Sequence, residues 1–147
     1  MSDNPVPDDP LACLLGYHVR RLSVLLMADL QEALAPLDLK VAEASVLLAI
    51  GAIPGATQSA VGRYLGIERA NMAPLIGRLV ARGLVEREEL DGRSQAMRLT
   101  SDGRRLRTRA RTAMDAHEQR CFANLGEGER LRLARELNSL WVGLEKK

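Results

Sequence analysis

Arg69, Asn71 and Met72 stand close together near the middle of the sequence and have the chemistry to read bases. Arginine can form paired hydrogen bonds with guanine, asparagine can do so with adenine, and a methionine can contact a thymine methyl group. Each residue also has an ordinary alternative, because Arg69 can contact phosphate alone, Asn71 can cap a helix and Met72 can pack in the core. Arg78 lies farther along the same segment and could contact DNA as well. We expect Arg69 and Asn71 to read bases if one exposed helix presents them.

A charged hairpin is predicted after this segment. Asp91-Gly92 separates two short runs, 84–89 and 95–99, that mix apolar residues with arginine. Asp-Gly between such runs is a strong signal for a tight turn, because glycine accepts the positive φ that the turn requires. Arg93 at the tip, next to Ser94, can project into a minor groove, while Asp91 orients an arginine and shapes the turn. The competing interpretation is a solvated charged turn.

Positive charge is concentrated in the middle of the chain. Residues 57–112 contain 12 Arg and 6 acidic residues, a net charge of +6, and the remainder contains 9 basic and 13 acidic residues, a net charge of −4. A basic centre between acidic ends is typical of a module that faces phosphate, although a solvated helical surface would give the same counts. The order of secondary-structure elements has to distinguish these two interpretations.

The spacing of apolar residues predicts a mainly helical chain. The sequence has 46% hydrophobic residues but only four aromatic ones, so aliphatic side chains have to build the core, which favours packed helices. Residues 1–10 are acidic and proline-rich, and we expect them to form a disordered lead-in. Amphipathic or apolar helices are predicted at 11–34, 39–53, 101–124 and 128–145.

Between these helices lies a pattern with the form of a helix-turn-helix. Thr57 can cap a short helix over 58–65, Gly66 suits a left-handed turn, and the next helix should stop at Gly83. Leu79, Val80, Leu84 and Val85 are expected in the core. Pro74 lies in the first turn if this helix starts at Asn71, where proline is tolerated, but it would kink a helix that starts at Glu68.

Residues 57–106 resemble the winged helix-turn-helix of MarR-type transcriptional regulators. The resemblance lies in the order of motifs: a helix starting Thr-Gln, a Leu-Gly-Ile turn, Arg-Leu-x-x-x-Gly-Leu-Val-x-Arg, Asp-x-Arg and Leu-Thr-x-x-Gly; it extends more weakly to "LGYHVRRLS" at 15–23. It implies a mainly α fold with a two-stranded wing, in one domain over 11–147 whose DNA-binding lobe is 36–100 and whose dimerisation helices are 11–34 and 101–145. Two departures are Gly92, where the wing usually has a second arginine, and Lys40, where a Thr or Ser cap is common.

The same resemblance implies a homodimer that binds a pseudo-palindromic operator in double-stranded DNA, usually as a repressor, and that a small molecule releases. The helix start at Thr57, Gln58 and Ser59 would bind phosphate, and plain capping is the alternative. The implied effector is a phenolic or other aromatic acid, or an acyl-CoA-like molecule. Four residues of the first helix could bind it or could simply pack at a surface or interface: Tyr17, His18, Arg20 and Arg21.

The two cysteines leave further alternatives open. Cys13, four residues before Tyr17, matches the spacing of the organic-hydroperoxide-sensing branch of the family, and Cys121 is placed like the second cysteine of some members. Unreactive cysteines are the default interpretation. His117 and Cys121 are also four residues apart on one helix face and could bind a metal with His18, but without a denser cluster we expect no metal site.

Other classes of protein fit less well. The sequence has no Gly-rich phosphate loop, no nucleophile elbow and only two histidines, so we expect neither an enzyme nor a cofactor. A dimeric adaptor would explain the apolar stripes but not the basic middle. No apolar run reaches the roughly 20 residues of a membrane-spanning helix and no signal-peptide pattern is evident, so we expect a cytoplasmic protein without a membrane partner.

Overall fold

The computed structural model describes residues 9–91 and 94–145, and within these ranges the chain forms six α-helices and one two-stranded antiparallel sheet. A short 3-10 helix, Ala35–Leu37, joins the first two helices. This order of elements confirms the predicted winged helix-turn-helix fold. In chain order the elements are α1 (Leu15–Leu34), α2 (Val41–Ala52), α3 (Gln58–Leu65), α4 (Arg69–Ala81), β1 (Val85–Asp91), β2 (Ser94–Leu99), α5 (Ser101–Cys121) and α6 (Glu127–Glu145).

The predicted caps and turns bound the helices of the DNA-binding lobe. The hydroxyl of Thr57 accepts a hydrogen bond from the backbone N–H of Ala60 at 3.2 Å, which fixes the start of α3. Gly66 directly follows α3 and Gly83 lies two residues after the end of α4, and their φ angles of 65° and 66° are in the left-handed region that favours glycine. These observations confirm the predicted helix-turn-helix boundaries.

Helix α1 begins four residues later than predicted. Residues 10–13 form a turn, and α1 starts at Leu15 instead of Leu11. The carboxylate of Asp9 accepts a hydrogen bond from the N–H of Leu11 at 2.9 Å, and the carbonyl of Asp9 accepts one from Ala12 at 3.2 Å. A short acidic side chain that bonds to the following backbone stabilises a turn in competition with a helix.

Helix α4 begins at Arg69, with Glu68 at the N-cap position, which agrees with the alternative start at Glu68 more closely than with the start at Asn71. Pro74 is therefore the sixth residue of the helix, beyond the first turn. The helix continues through it to Ala81, without the N–H that would otherwise donate to the carbonyl of Ala70. The carbonyl oxygen of Ala70, on the exposed side of α4, therefore lacks the N–H donor that it would have in an uninterrupted helix.

In the described part of the chain, one apolar core joins α2, α3, α4, the sheet, the C-terminal end of α1 and the middle of α5. Half of the residues of α2 are buried, and they cover more than one face of the helix, as expected for an element that packs against several others. Val80 was expected in the core but is 36% exposed, because it lies on the outer side of α4 next to the buried Leu79. The largest fully buried side chains are Leu34, Val46, Leu47, Val61, Met72, Ile76 and Leu79.

The base of the wing is fastened to both neighbouring helices. The N–H of Met97 donates to the carbonyl of Ala56 at 2.7 Å, which ties β2 to the segment just before α3. Thr100 caps α5 by accepting from the N–H of Gly103 at 3.0 Å, and its own N–H donates to the carbonyl of Leu84 at 3.1 Å. These hydrogen bonds therefore hold the base of the wing against the segment before α3 and the start of α5.

Two apolar helix faces remain uncovered. On α1, Leu15, Leu22 and Leu25 are 48–64% exposed. Helix α6 contains no buried residue, and within the described part of the chain it has no extensive packing contact with another element. Its exposed apolar residues recur at helical spacing: Leu131, Leu133, Leu137, Leu140, Trp141 and Leu144. Among the residues that the structure describes, no helix is long and apolar enough to cross a membrane.

Candidate nucleic-acid interface

Helix α4 has one side in the core and the other in solvent. Its buried residues are Met72, Leu75, Ile76 and Leu79, spaced three or four apart, so they share a face. Arg69 and Asn71 are exposed near the N-terminal end of the helix, as the base-reading hypothesis requires. The core thereby fixes which side of α4 is presented outward.

Met72 was interpreted as a thymine contact, and the structure contradicts this. Its side chain is only 1% exposed. A Cβ added at Gly62 would lie 3.1 Å from the Cγ of Met72, so the two residues mark a close approach of α3 to α4. Met72 is a core residue, because its spacing of three and four residues from the buried Leu75 and Ile76 places it on the inner face of α4.

Asn71 does not cap α4, because the N-cap position belongs to Glu68. The backbone N–H of Asn71 donates to the carbonyl of Glu68 at 2.9 Å, as in an ordinary first turn. Capping therefore leaves the side-chain amide of Asn71 unused. Arg69, the first residue of the helix, is exposed beside it.

The start of α3 lies next to the start of α4. Gln58, Ser59 and Arg63 of α3 and Arg69 of α4 line a shallow depression of about 400 Å³. Helix N-termini carry free N–H groups and a partial positive charge, which favours phosphate. The hydroxyl of Thr57 serves as the cap, so phosphate contact at this residue would be additional to its structural role.

Arg78 has a structural partner that the sequence did not reveal. Its Nε donates to the Oε1 of Glu43 at 3.1 Å, which links α4 to α2. The N–H of Lys40 donates to the other oxygen of Glu43 at 3.0 Å, and Arg82 lies 3.7 Å from it. The guanidinium of Arg78 thus neutralises a buried carboxylate, and because its side chain is 48% exposed, its predicted contact with DNA stays a prediction.

The pKa of Glu43 reflects this arrangement. Burial alone would raise the pKa, but the hydrogen bonds from Lys40 and Arg78 and the nearby positive charges outweigh burial and hold the pKa below its usual value. Glu43 also explains how α2 begins without the Ser or Thr cap typical of the family. Its carboxylate accepts from Lys40, while Gln31 of α1 accepts from the N–H of Val41 at 3.2 Å.

The wing carries the remaining predicted contacts. Gly92 and Arg93 lie outside the described residues, as do the side chains of Leu90, Asp91 and Ser94, so their predicted roles stay predictions. The strands that lead to the tip are paired from Val85 opposite Leu99 to Asp91 opposite Ser94. Arg98 on β2 lies 3.2 Å from Glu86 and 3.4 Å from Glu88, and these carboxylates partly neutralise its charge.

The four proposed effector residues lie on the N-terminal half of α1. Arg21 donates to the hydroxyl of Tyr17 at 3.1 Å, and this hydrogen bond raises the pKa of Arg21. The ring Nε2 of His18 lies 2.9 Å from the carbonyl of Ala12, and Arg20 is exposed. None of the four lines the cavity between α2, α3 and α5. That cavity, of about 480 Å³, includes Ser45, Leu48, Tyr64, Arg107, Arg111 and Met114 in its lining.

The two cysteines are far apart within one chain. Cys13 is exposed in the turn before α1, whereas the Sγ of Cys121 lies 3.5 Å from Asp29. Asp29 is 14 residues beyond the start of α1, about 21 Å at about 1.5 Å per residue. Burial and the hydrogen bond to Asp29 raise the pKa of the Cys121 thiol, which disfavours the reactive thiolate. Within one chain, this geometry does not support a Cys13–Cys121 redox pair.

Asp29 itself was missed as a functional residue. It interrupts the apolar stripe of α1, and its Oδ2 lies 3.2 Å from the Nε2 of His117 and 2.8 Å from Arg120. The hydrogen bond from Arg120 lowers the pKa of Asp29. An acid at an apolar position of a helix is the sequence signal that could have identified it. His18, the third ligand considered from the sequence, belongs to the other end of α1.

The chain is similar in sequence and fold to known transcriptional regulators. A sequence model of the MarR family matches residues 37–94, from the 3-10 helix into the wing. The HTH-type transcriptional repressor Rv2887 of Mycobacterium tuberculosis is 29% identical over 128 residues, which are 86% of this chain and 92% of that protein. The transcriptional repressor CouR bound to a 23-mer DNA duplex is 33% identical with a TM-score of 0.85, over 93% of this chain and 99% of the CouR chain. CouR from Rhodococcus jostii RHA1 bound to p-coumaroyl-CoA is 29% identical with a TM-score of 0.80, over 88% and 93% of the two chains.

Proposed function

This chain belongs to the MarR family of transcriptional regulators, and from that premise we propose that it represses transcription as a homodimer bound to a pseudo-palindromic operator. The observation that carries this proposal is the two-sided character of α4. Its apolar side is buried, while Arg69 and Asn71 are exposed near its N-terminal end. A helix held in this way presents its first residues to base edges in a major groove.

On this proposal, three parts of the lobe contact one half-site. Asn71 reads adenine and Arg69 reads guanine or a phosphate oxygen. The start of α3 at Gln58 and Ser59 binds phosphate through backbone N–H groups. Arg93 at the wing tip enters the adjacent minor groove, with Asp91 and Ser94 shaping the turn. CouR, which is similar over nearly its whole length, has been solved on a DNA duplex, and this supports the docking.

The uncovered helix faces support a homodimer. Most of the stability of a helix in a protein comes from packing of its apolar face, and α6 exposes Leu137, Leu140, Trp141 and Leu144 to solvent in one chain. A second copy supplies a matching surface, because an isologous two-fold interface pairs the same patch with itself. Two lobes would then read half-sites about 34 Å apart, one turn of DNA.

The effector is proposed to bind between the dimerisation helices and the lobe. The cavity of about 480 Å³ between α2, α3 and α5 has the size of a small-molecule site and offers Arg107 and Arg111 beside Tyr64. Two guanidinium groups and an aromatic ring suit an aromatic carboxylate or an aromatic acyl-CoA thioester. The structure of CouR with p-coumaroyl-CoA supports this class of ligand. We place the effector here in preference to Tyr17, His18, Arg20 and Arg21, which do not line the cavity.

The proposal is tested by fluorescence anisotropy on a duplex that the protein selects from a random library. Asn71→Ala should relax preference at one base pair per half-site, whereas Arg93→Ala should weaken binding to all sequences and lower the salt slope by about one unit. Arg109→Ala, which removes an exposed charge beside the 3-10 helix, is the matched control and should leave base preference unchanged. In the same assay p-coumaroyl-CoA should reduce affinity. Unchanged affinity and base preference in both Asn71→Ala and Arg93→Ala would contradict the docking.

A further inference from the structure

We propose that Asp29, His117 and Cys121 form a zinc site that links α1 to α5. The inference is independent of the proposed DNA-binding function, since none of the three residues lies in the DNA-binding lobe. His117 and Cys121 are separated by one helical turn on α5, so their side chains share a face. Asp29 reaches them from the C-terminal half of α1. All three potential ligand atoms lie within 4.8 Å of one another.

The spacing of the three atoms matches one face of a tetrahedron around zinc. The Sγ of Cys121 lies 3.4 Å from the Nε2 of His117 and 3.5 Å from the Oδ2 of Asp29, and these two atoms are 3.2 Å apart. Zinc bonds of about 2.3 Å to sulfur and about 2.0 to 2.1 Å to nitrogen and oxygen, at tetrahedral angles, require separations of about 3.3 to 3.6 Å. The ion would therefore fit with shifts of a few tenths of an ångström. Residues that merely share a helix face need not bring their ligand atoms this close together, so the spacing itself supports the proposed site.

The chemistry of the donors also favours zinc. Thiolate, imidazole and carboxylate are its three common protein ligands, and three of them leave a fourth position for water. The His117 side chain is 3% exposed and Cys121 is half-buried, while the Asp29 side chain is 43% exposed, so the site opens to solvent on the Asp29 side. Binding replaces the proton of the Cys121 thiol by the metal and releases that proton to water.

Arg120 is the competing cation at this site. It donates to the Oδ2 of Asp29 at 2.8 Å, and its own side chain is 58% exposed. An exposed guanidinium can move to the second carboxylate oxygen, where it would orient Asp29 as an outer partner of the ligand. Without a metal, the three residues and Arg120 form a hydrogen-bonded cluster. With zinc, α1 and α5 would be joined by metal bonds at the same place.

The experiment uses Co²⁺ as a spectroscopic substitute for Zn²⁺ on the full-length protein. The wild type should bind one ion per chain, with a sulfur-to-cobalt charge-transfer band and the visible bands of tetrahedral cobalt, and Zn²⁺ should displace it. Cys121→Ser should lose the charge-transfer band and bind at least about 100-fold more weakly, since even outer-shell changes cost 10 to 100-fold. Cys13→Ser, which removes the exposed cysteine, is the matched control and should retain both the band and the affinity.

Several results would overturn the proposal. Absence of the charge-transfer band in the wild type would do so, as would a band that survives Cys121→Ser and disappears in Cys13→Ser. If circular dichroism shows that Cys121→Ser is unfolded, Asp29→Asn carries the test. That variant should retain the charge-transfer band and bind Co²⁺ at least about tenfold more weakly, and an unchanged affinity would reject Asp29 as a ligand. Zn²⁺ should also raise the Tm of the wild type and of Cys13→Ser, but not that of Cys121→Ser.

Discussion

Gly103 lies where the wing meets the long helix α5, and its replacement by alanine should loosen that junction. A Cβ at this position would overlap the carbonyl oxygen of Leu84 and lie 2.9 Å from its carbonyl carbon. Both atoms belong to backbone, so no side-chain rotation can relieve the contact. Either α5 or the end of the wing has to move. This close approach explains why the Leu-Thr-x-x-Gly motif ends in glycine.

The size of the effect follows from three contributions. Overpacking a close contact costs about 1 to 3 kcal/mol. Separating the two elements weakens the hydrogen bond from the N–H of Thr100 to the carbonyl of Leu84, now 3.1 Å long, which is worth about 1 kcal/mol. Alanine regains about 0.5 to 1 kcal/mol over glycine through helix propensity. The free energy of unfolding should therefore fall by about 1 to 3.5 kcal/mol, which corresponds to a decrease in Tm of about 3 to 10 °C at about 3 °C per kcal/mol.

Urea unfolding at one fixed protein concentration measures the change, because the stability of a dimer depends on concentration. Gly77→Ala is the matched control, since Gly77 is an exposed glycine within α4 and a Cβ there meets nothing within 4 Å. It should stabilise the protein by about 0.5 to 1 kcal/mol. Because the same junction holds the wing in position, Gly103→Ala should also weaken DNA binding. A Gly103→Ala variant as stable as Gly77→Ala would refute the reasoning.

Two further predictions concern the dimer and the buried acid. Leu140→Glu should place a charge on the apolar face of α6 and convert the dimer to monomers, which multi-angle light scattering would detect. The control variant Ser139→Glu changes a residue beside that face and should remain dimeric. A dimeric Leu140→Glu would exclude α6 from the interface. Since the pKa of Glu43 is lower in the folded protein than its unfolded value of about 4.3, its ionised form stabilises the protein above that pH, and this contribution is lost as pH falls through the folded pKa. In urea titrations, the difference in the free energy of unfolding between wild type and Glu43→Gln should thus be constant near neutral pH and shrink below about pH 4.3. The control is Glu88→Gln, which removes an exposed carboxylate and should show no such trend. A difference that grows on acidification would contradict the pair of Glu43 with Arg78.

Local signals made most of the fold predictable. Thr57, Gly66, Gly83 and Thr100 fix helix ends through short-range hydrogen bonds and positive φ angles, which depend on the nearest few residues alone. The start of α1 was misjudged because the Asp9 carboxylate captures the N–H of Leu11, and apolar periodicity cannot register such a bond. The predicted start of a helix was therefore wrong where a side chain accepts a hydrogen bond from the backbone and stabilises a turn in place of the helix.

Contacts between distant segments were harder to predict. Arg78 and Glu43 are 35 residues apart, and only the crossing of α2 and α4 reveals that they form a pair. From the sequence Met72 could contact a base or pack in the core, and only the packing of α4 against the other elements shows that it is buried. Asp29 meets His117 and Cys121 across 88 and 92 residues of sequence. Such pairs depend on helix packing angles, which composition and spacing do not determine.

The most direct test of the central claim is selection of duplexes by the purified protein from a random library, followed by sequencing. Specific recognition by a two-fold dimer predicts an enriched inverted repeat whose half-site centres lie about 10 base pairs apart. Binding to the enriched duplex should fall steeply between about 50 and 200 mM salt, as expected when basic side chains release counterions from phosphate. A library that stays unenriched, or no retention of any duplex at low salt, would contradict the account of this chain as a DNA-binding regulator.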